Sequence, residues 1–128
     1  GQADLILSVE PMEALRYLPW LSSDGWLVTN SQPYKNIPDY PEYEEIEAQL
    51  KMVPKHIIID ADGMAIELKS RKSSNMIVLG AAIPFLPFDW EDYQYGLNQL
   101  FGRKGQEIVD INLDALRAGK NYSEKIHA

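Results

Sequence analysis

The stretch Ser70-Arg71-Lys72-Ser73-Ser74-Asn75-Met76-Ile77-Val78-Leu79-Gly80-Ala81-Ala82-Ile83 decides how the chain is read, because a polar hook runs straight into a segment with no charge. Residues 76–86 are all apolar, glycine or proline. That run is far short of the about 20 residues needed to cross a bilayer, so the spacing predicts a helix over 76–85 that is covered on nearly all sides. Ser73 or Ser74 is placed to cap its first turn. Gly80 leaves a bare spot where a second backbone can approach.

Working outward from this helix, Asp89 reads as an N-cap with Asp92 three residues on. Trp90, Tyr93, Leu97, Leu100 and Phe101 then fall on one helical stripe that stops at Gly102. After Gly105, Ile108, Val109, Ile111, Leu113, Ala115 and Leu116 give a wide apolar face. That helix is expected to end at Gly119 in a left-handed cap, with 120–128 as a polar tail.

Upstream, Leu5-Ile6-Leu7-Ser8-Val9, Trp26-Leu27-Val28-Thr29 and His56-Ile57-Ile58-Ile59 are apolar runs that do not alternate with polar residues. Strands of that kind lie in parallel sheets whose two faces are both covered. Between the first two runs, Pro11, Met12, Leu15 and Leu18 predict a short helix that stops at Pro19, and Asp24-Gly25 reads as a turn. Residues 30–41 carry Pro33, Pro38 and Pro41 and read as an extended surface loop. Tyr43, Ile46, Leu50 and Val53 mark one face of the next helix, with Glu44 and Glu45 in its first turn and Lys51 near its end. The fold class expected is α/β, a mainly parallel sheet with helices on both faces.

The 128 residues hold twelve Lys and Arg against nineteen Asp and Glu, a formal charge of −7. Such a surface repels phosphate backbones and anionic membranes unless a local basic patch overrides it, so neither nucleic acid nor membrane is expected as a partner. Arg71-Lys72 and Arg103-Lys104 are only pairs and read as solvated surface. With no cysteine, these residues offer no thiolate for zinc or an iron–sulfur cluster, no thiol nucleophile and no disulfide. The compartment expected is the cytoplasm.

In parallel sheets ligands gather at the carboxyl ends of the strands. There the sequence places Glu10, Asn30, Gln32, Asp60 and Asp62, with Asn75 at the start of the buried helix as a further ligand or interface candidate. The apolar strand ending in Asp60-Ala61-Asp62-Gly63 invites comparison with haloacid-dehalogenase-like phosphohydrolases, where two such carboxylates hold magnesium and attack a phosphomonoester. Met64 stands where a hydroxyl residue is expected, and no second acidic pair follows. The plainer reading is an aspartate capping the next helix. No P-loop, G-x-G-x-x-G or nucleophile elbow is present.

Four stretches taken together resemble a known domain: residues Ala3-Asp4-Leu5-Ile6-Leu7-Ser8-Val9-Glu10-Pro11-Met12-Glu13-Ala14-Leu15-Arg16, Gly25-Trp26-Leu27-Val28-Thr29-Asn30-Ser31-Gln32-Pro33, Asn75-Met76-Ile77-Val78-Leu79-Gly80-Ala81 and Lys104-Gly105-Gln106-Glu107-Ile108-Val109-Asp110-Ile111-Asn112. In this order and spacing they are similar to the gamma-type domain of 2-oxoacid:ferredoxin oxidoreductases, in particular the beta-subunit branch that handles indolepyruvate. The resemblance covers residues 3–119. It implies a scaffold or assembly part of an enzyme that oxidatively decarboxylates an aryl pyruvate to the acyl-CoA and passes electrons to ferredoxin. Thiamine diphosphate and iron–sulfur clusters are implied for other domains or subunits, with none on this chain. The partners implied are an alpha subunit and, as a second candidate, another copy of the chain. The glycine-rich first strand and turn of the family domain lie outside this stretch, so the sheet is expected to be incomplete at its N-terminus. The resemblance carries no catalytic, cofactor or metal-ligating residue onto a numbered position. The alternatives to this reading are a magnesium-dependent haloacid-dehalogenase-like phosphohydrolase using Asp60 and Asp62, or a non-catalytic binding module.

Overall fold

The computed structural model describes residues 1–34 and 39–127. The part of the expected loop at residues 35–38, including Pro38, lies outside the described residues. Three parallel strands, β1 (Ala3–Ser8), β2 (Leu21–Asn30) and β3 (His56–Ile59), lie side by side in the order β1-β2-β3. The helices are α1 (Pro11–Tyr17), α2 (Tyr43–Lys51), α3 (Ala61–Glu67), α4 (Ser74–Ala82), α5 (Trp90–Phe101) and α6 (Gln106–His127). The α/β class and the helices on both faces are as the sequence predicts.

The strands lack alternation because each face of the sheet is covered by its own layer. Leu27 is buried with Ala14 of α1 and with Ile46 and Leu50 of α2, and Ile6 and Ile58 pack against that cluster. On the opposite face, Val28, Ile57 and Ile59 are buried with Ile77, Val78, Ala81 and Ala82 of α4 and with Ala115 of α6. A third cluster of Ile83, Leu97, Val109 and Leu116 joins α4, α5 and α6. Burying a side chain such as Leu27 or Ile59, both 0% exposed, contributes about 1.5–3 kcal/mol.

No residue from 76 to 86 is exposed, so the charge-free run is a core helix continued by a 3-10 turn, Ile83–Phe85. Its close contact falls at Gly80, where an added Cβ would overlap the Leu116 carbonyl of α6. Neither serine caps the helix in the expected way, because the Ser73 hydroxyl is used against Ser70, with 2.6 Å between their oxygens.

Three local expectations are corrected. The last helix does not stop at Gly119. It continues as α6 to His127, and Gly119 lies mid-helix, where a Cβ would overlap the Ile77 carbonyl. The segment read as a tail is therefore packed: Tyr122 Oη donates to the Ile58 carbonyl at 3.2 Å, and the His127 ring meets Trp26 and Phe85 edge-on. Asp24-Gly25 is not a turn between elements but sits inside β2, where the register slips: Ala3 pairs with Leu21, yet Leu5 pairs with Trp26. A glycine in a strand often marks such a bulge. The stripe of α5 is only partly buried, since Leu97 is covered and Leu100 remains 70% exposed.

Candidate functional site

The carboxyl ends of the three strands open on the same side of the sheet because the strands are parallel, and the sequence candidates meet there in two groups. Glu10 follows β1 and precedes Pro11, whose fixed φ suits the first helical position. Its carboxylate is buried, 5% exposed, without a cationic partner among the described residues. Instead Oε1 accepts from the Glu13 amide at 2.9 Å, and Oε2 accepts from the Tyr34 amide at 3.2 Å and from the Tyr40 hydroxyl. Three donors to one carboxylate compensate its desolvation. The hub pins both described flanks of the segment after β2 to the end of β1.

Asn30 builds the second group. It is 0% exposed at the last position of β2. Its Oδ1 accepts from the Ala61 amide at 3.1 Å and the Gln32 amide at 3.4 Å, while its Nδ2 donates to Asp62 Oδ1 at 3.1 Å. The side chain thus ties β2 to the start of α3. Gln32 enters through its backbone. Asp60 is the N-cap of α3, accepting from the Gly63 amide at 3.0 Å. Among the described residues no three His, Cys, Asp or Glu side chains gather as a metal site.

Asn75 is not part of this assembly. It is exposed and lines a separate cleft beside the start of α4.

Two residues the sequence reading missed complete the strand-end surface. Tyr34 and Tyr40, with Val9, Met12, Glu13 and Arg16, line a cleft of about 300 Å³ next to Glu10. The signal was a tyrosine cluster in residues 34–43 beside a glutamate that ends a strand. Burial first, then the bond to Glu10, pushes the Tyr40 hydroxyl well above its ordinary value. Tyr43 is pushed up to about 12, by burial first and then by Glu47, with Ser31 acting in the opposite direction. Neither neighbour reaches its hydroxyl with hydrogen-bond geometry, and among the described residues that buried oxygen has no partner. In turn Glu47 is held low, chiefly by Lys51 at 2.9 Å.

The hydrogen bonds at these strand ends tie separate backbone segments together. Glu10, Asn30, Asp60 and Asp62 are each committed to an internal donor. Thiamine diphosphate needs a divalent cation with oxygen ligands for its diphosphate, and the carboxylates described here do not form one. With no cysteine, the chain also offers no thiolate to a cluster. The residues present fit neither group.

Residues 1–122 match the family model described as Pyruvate ferredoxin/flavodoxin oxidoreductase, and the chain belongs to that family. Within it, the chain is similar to indolepyruvate oxidoreductase subunit IorB of Archaeoglobus fulgidus, 33% identical over 96% of this chain and 64% of that protein. The same subunit of Pyrococcus horikoshii is 32% identical over 98% of this chain and 66% of that protein. The chain thus spans just under two thirds of the length of these curated relatives. A solved 2-oxoglutarate:ferredoxin oxidoreductase from Magnetococcus marinus superposes with a TM-score of 0.70 at 21% identity, over 98% of this chain and 20% of that one. That likeness concerns the fold. The phosphohydrolase alternative is not favoured, because family membership points elsewhere and Asp60 and Asp62 are spent on a helix cap and on Asn30.

Proposed function

We propose that the chain is the assembly portion of a 2-oxoacid:ferredoxin oxidoreductase acting on indolepyruvate or another aryl pyruvate, and that it works in the cytoplasm beside an alpha subunit that carries thiamine diphosphate. The observation that carries this reading is the similarity to two indolepyruvate oxidoreductase subunits over nearly the whole chain. Internal use of every strand-end carboxylate supports the non-catalytic part of it. Residues 3–119 are the portion assigned to the gamma-type domain. Among the described residues no helix is long and apolar enough to cross a membrane.

The enzyme's chemistry is oxidative decarboxylation of the oxoacid to an acyl-CoA with electrons leaving to ferredoxin, and this chain's part is to hold a rigid α/β body against the subunit where that occurs. The test is co-expression of the protein carrying this chain with its alpha subunit, assayed for indolepyruvate-dependent reduction of a viologen dye under anaerobic conditions with CoA. Activity is expected from the pair and from neither member alone. Turnover by the chain alone would overturn the assignment, as would full activity of the alpha subunit without it.

A further inference from the structure

One lysine of each basic pair, Lys72 of Arg71-Lys72 and Lys104 of Arg103-Lys104, lines the same cleft. Each occupies a 3-10 turn, Arg71–Ser73 before α4 and Gly102–Lys104 between α5 and α6. The cleft between them holds about 440 Å³. Its apolar lining is Met76, Phe101, Ile108 and Ile111; Lys72 and Lys104 also line it, and so does Asn75. Among the described residues no carboxylate lines it, although the chain has nineteen acidic residues. Among the described residues neither lysine is in an ion pair; Lys104 lies 5.8 Å from the centre of the Phe101 ring.

An apolar lining with a cationic rim, on a chain of net charge −7, is complementary to a segment that presents an apolar side chain flanked by carboxylates. We infer that this cleft docks such an acidic, apolar-anchored segment of the partner subunit. The inference rests on the reading of the chain as one subunit of an assembly. The anchor fills the space against Phe101, Ile108 and Ile111, while Lys72 and Lys104 steer the approach and set its register. Arg71 and Arg103 extend the positive charge along the same two turns.

The experiment uses the co-expressed complex and has two readouts. The first is the affinity between subunits for wild type, for Lys72→Glu with Lys104→Glu, and for the control Lys125→Glu on the last turn of α6. The second is amine-reactive footprinting of the lysines, free and in complex. The cleft variant is expected to weaken association by about tenfold and to reverse its loss with added salt, with Lys72 and Lys104 protected in the complex and the Lys125 variant unchanged. If the wild-type complex forms but the cleft variant binds equally and both lysines stay reactive, the docking inference is overturned while the subunit reading stands. Protection of the lysines with no loss of affinity would assign the cleft to a small anion instead and also overturns it. If wild type forms no complex at all, the subunit reading fails and takes this one with it.

Discussion

Gly80 of α4 and Gly119 of α6 form a reciprocal contact, each lying where the other helix's backbone leaves no room for a Cβ: Gly80 meets the Leu116 carbonyl, and Gly119 meets the Ile77 carbonyl. A glycine inside a helix costs about 1 kcal/mol relative to alanine, and here close helix packing offsets that cost twice. Gly80→Ala and Gly119→Ala are each expected to lower stability by about 1–3 kcal/mol in urea unfolding, because backbone rather than a flexible side-chain tip must move. Gly96→Ala is the internal control. Nothing lies within 4 Å of its missing Cβ, so it should stabilise by about 0.4–1 kcal/mol. Equal effects at Gly96 and Gly80 would show that α4 and α6 are not in backbone contact.

The same pair shows what was legible in the sequence. Gly80 stood inside a charge-free run, so a buried close approach followed from composition. Gly119 was followed by polar residues and looked like a cap, because the local pattern does not show that α4 crosses there. The bulge at Gly25 was hidden for a similar reason: its cause is the β1 register, a contact far away in sequence. Glu10, Asn30, Gln32, Asp60 and Asp62 lie at or just after strand ends, while Asn75 lies apart beside the start of α4. What they bind was not legible, as Glu10 and Asn30 satisfy backbone donors across 24 and 31 residues. The basic pairs are exposed, as the sequence predicts, but only the fold brings Lys72 and Lys104 to one cleft.

Glu10 is expected to be the costliest strand-end residue to remove. Glu10→Ala strands the amides of Glu13 and Tyr34 and the Tyr40 hydroxyl, and hydrogen bonds to a charged group contribute about 1.5–3 kcal/mol each before water fills in. Destabilisation of about 2 kcal/mol or more, with faster proteolysis after β2, is the expected result. Glu10→Gln should cost less, since it keeps an acceptor. Unchanged unfolding and proteolysis in the alanine variant would mean the hub holds nothing.

Tyr40 and Tyr43 make stability fall at alkaline pH. Both hydroxyls hold their proton more tightly in the folded chain than in the unfolded one, so the unfolded state ionises first. Their contribution is fully present below pH about 10, the ordinary tyrosine value. For Tyr43 it is lost as pH rises toward about 12, and for Tyr40 the loss runs higher still. Tyr43→Phe cannot ionise and should show a shallower decline of unfolding free energy between pH 10 and 12. An identical slope in the variant would contradict the assigned burial of that hydroxyl.

The segment after Gly119 should contribute to stability although its sequence is polar. Tyr122→Phe keeps the ring and removes one hydrogen bond to the Ile58 carbonyl, at an expected cost of about 0.5–1.5 kcal/mol. Removing residues 120–128 also frees Trp26 and Phe85, stacked with ring centres 4.0 Å apart, from His127. The truncation should therefore cost more than Tyr122→Phe and shift the Trp26 fluorescence. If both leave unfolding unchanged, the last turns of α6 are not docked on the sheet.

Asp60 separates a structural carboxylate from a catalytic one. As the N-cap of α3, with Oδ1 on the Gly63 amide, it contributes through an acceptor oxygen that asparagine also has. Asp60→Asn should therefore change stability by only a few tenths of a kcal/mol, whereas Asp60→Ala should cost about 0.5–2 kcal/mol. A nucleophilic carboxylate behaves differently, since the neutral amide cannot attack phosphorus. With magnesium and a panel of phosphomonoesters, wild type, Asp60→Asn and Asp60→Ala are all expected to be equally inactive. The order of their stabilities, wild type close to Asp60→Asn and both above Asp60→Ala, is the positive signature of a cap. Magnesium-dependent turnover in wild type that disappears in Asp60→Asn would restore the phosphohydrolase reading, whatever the stabilities.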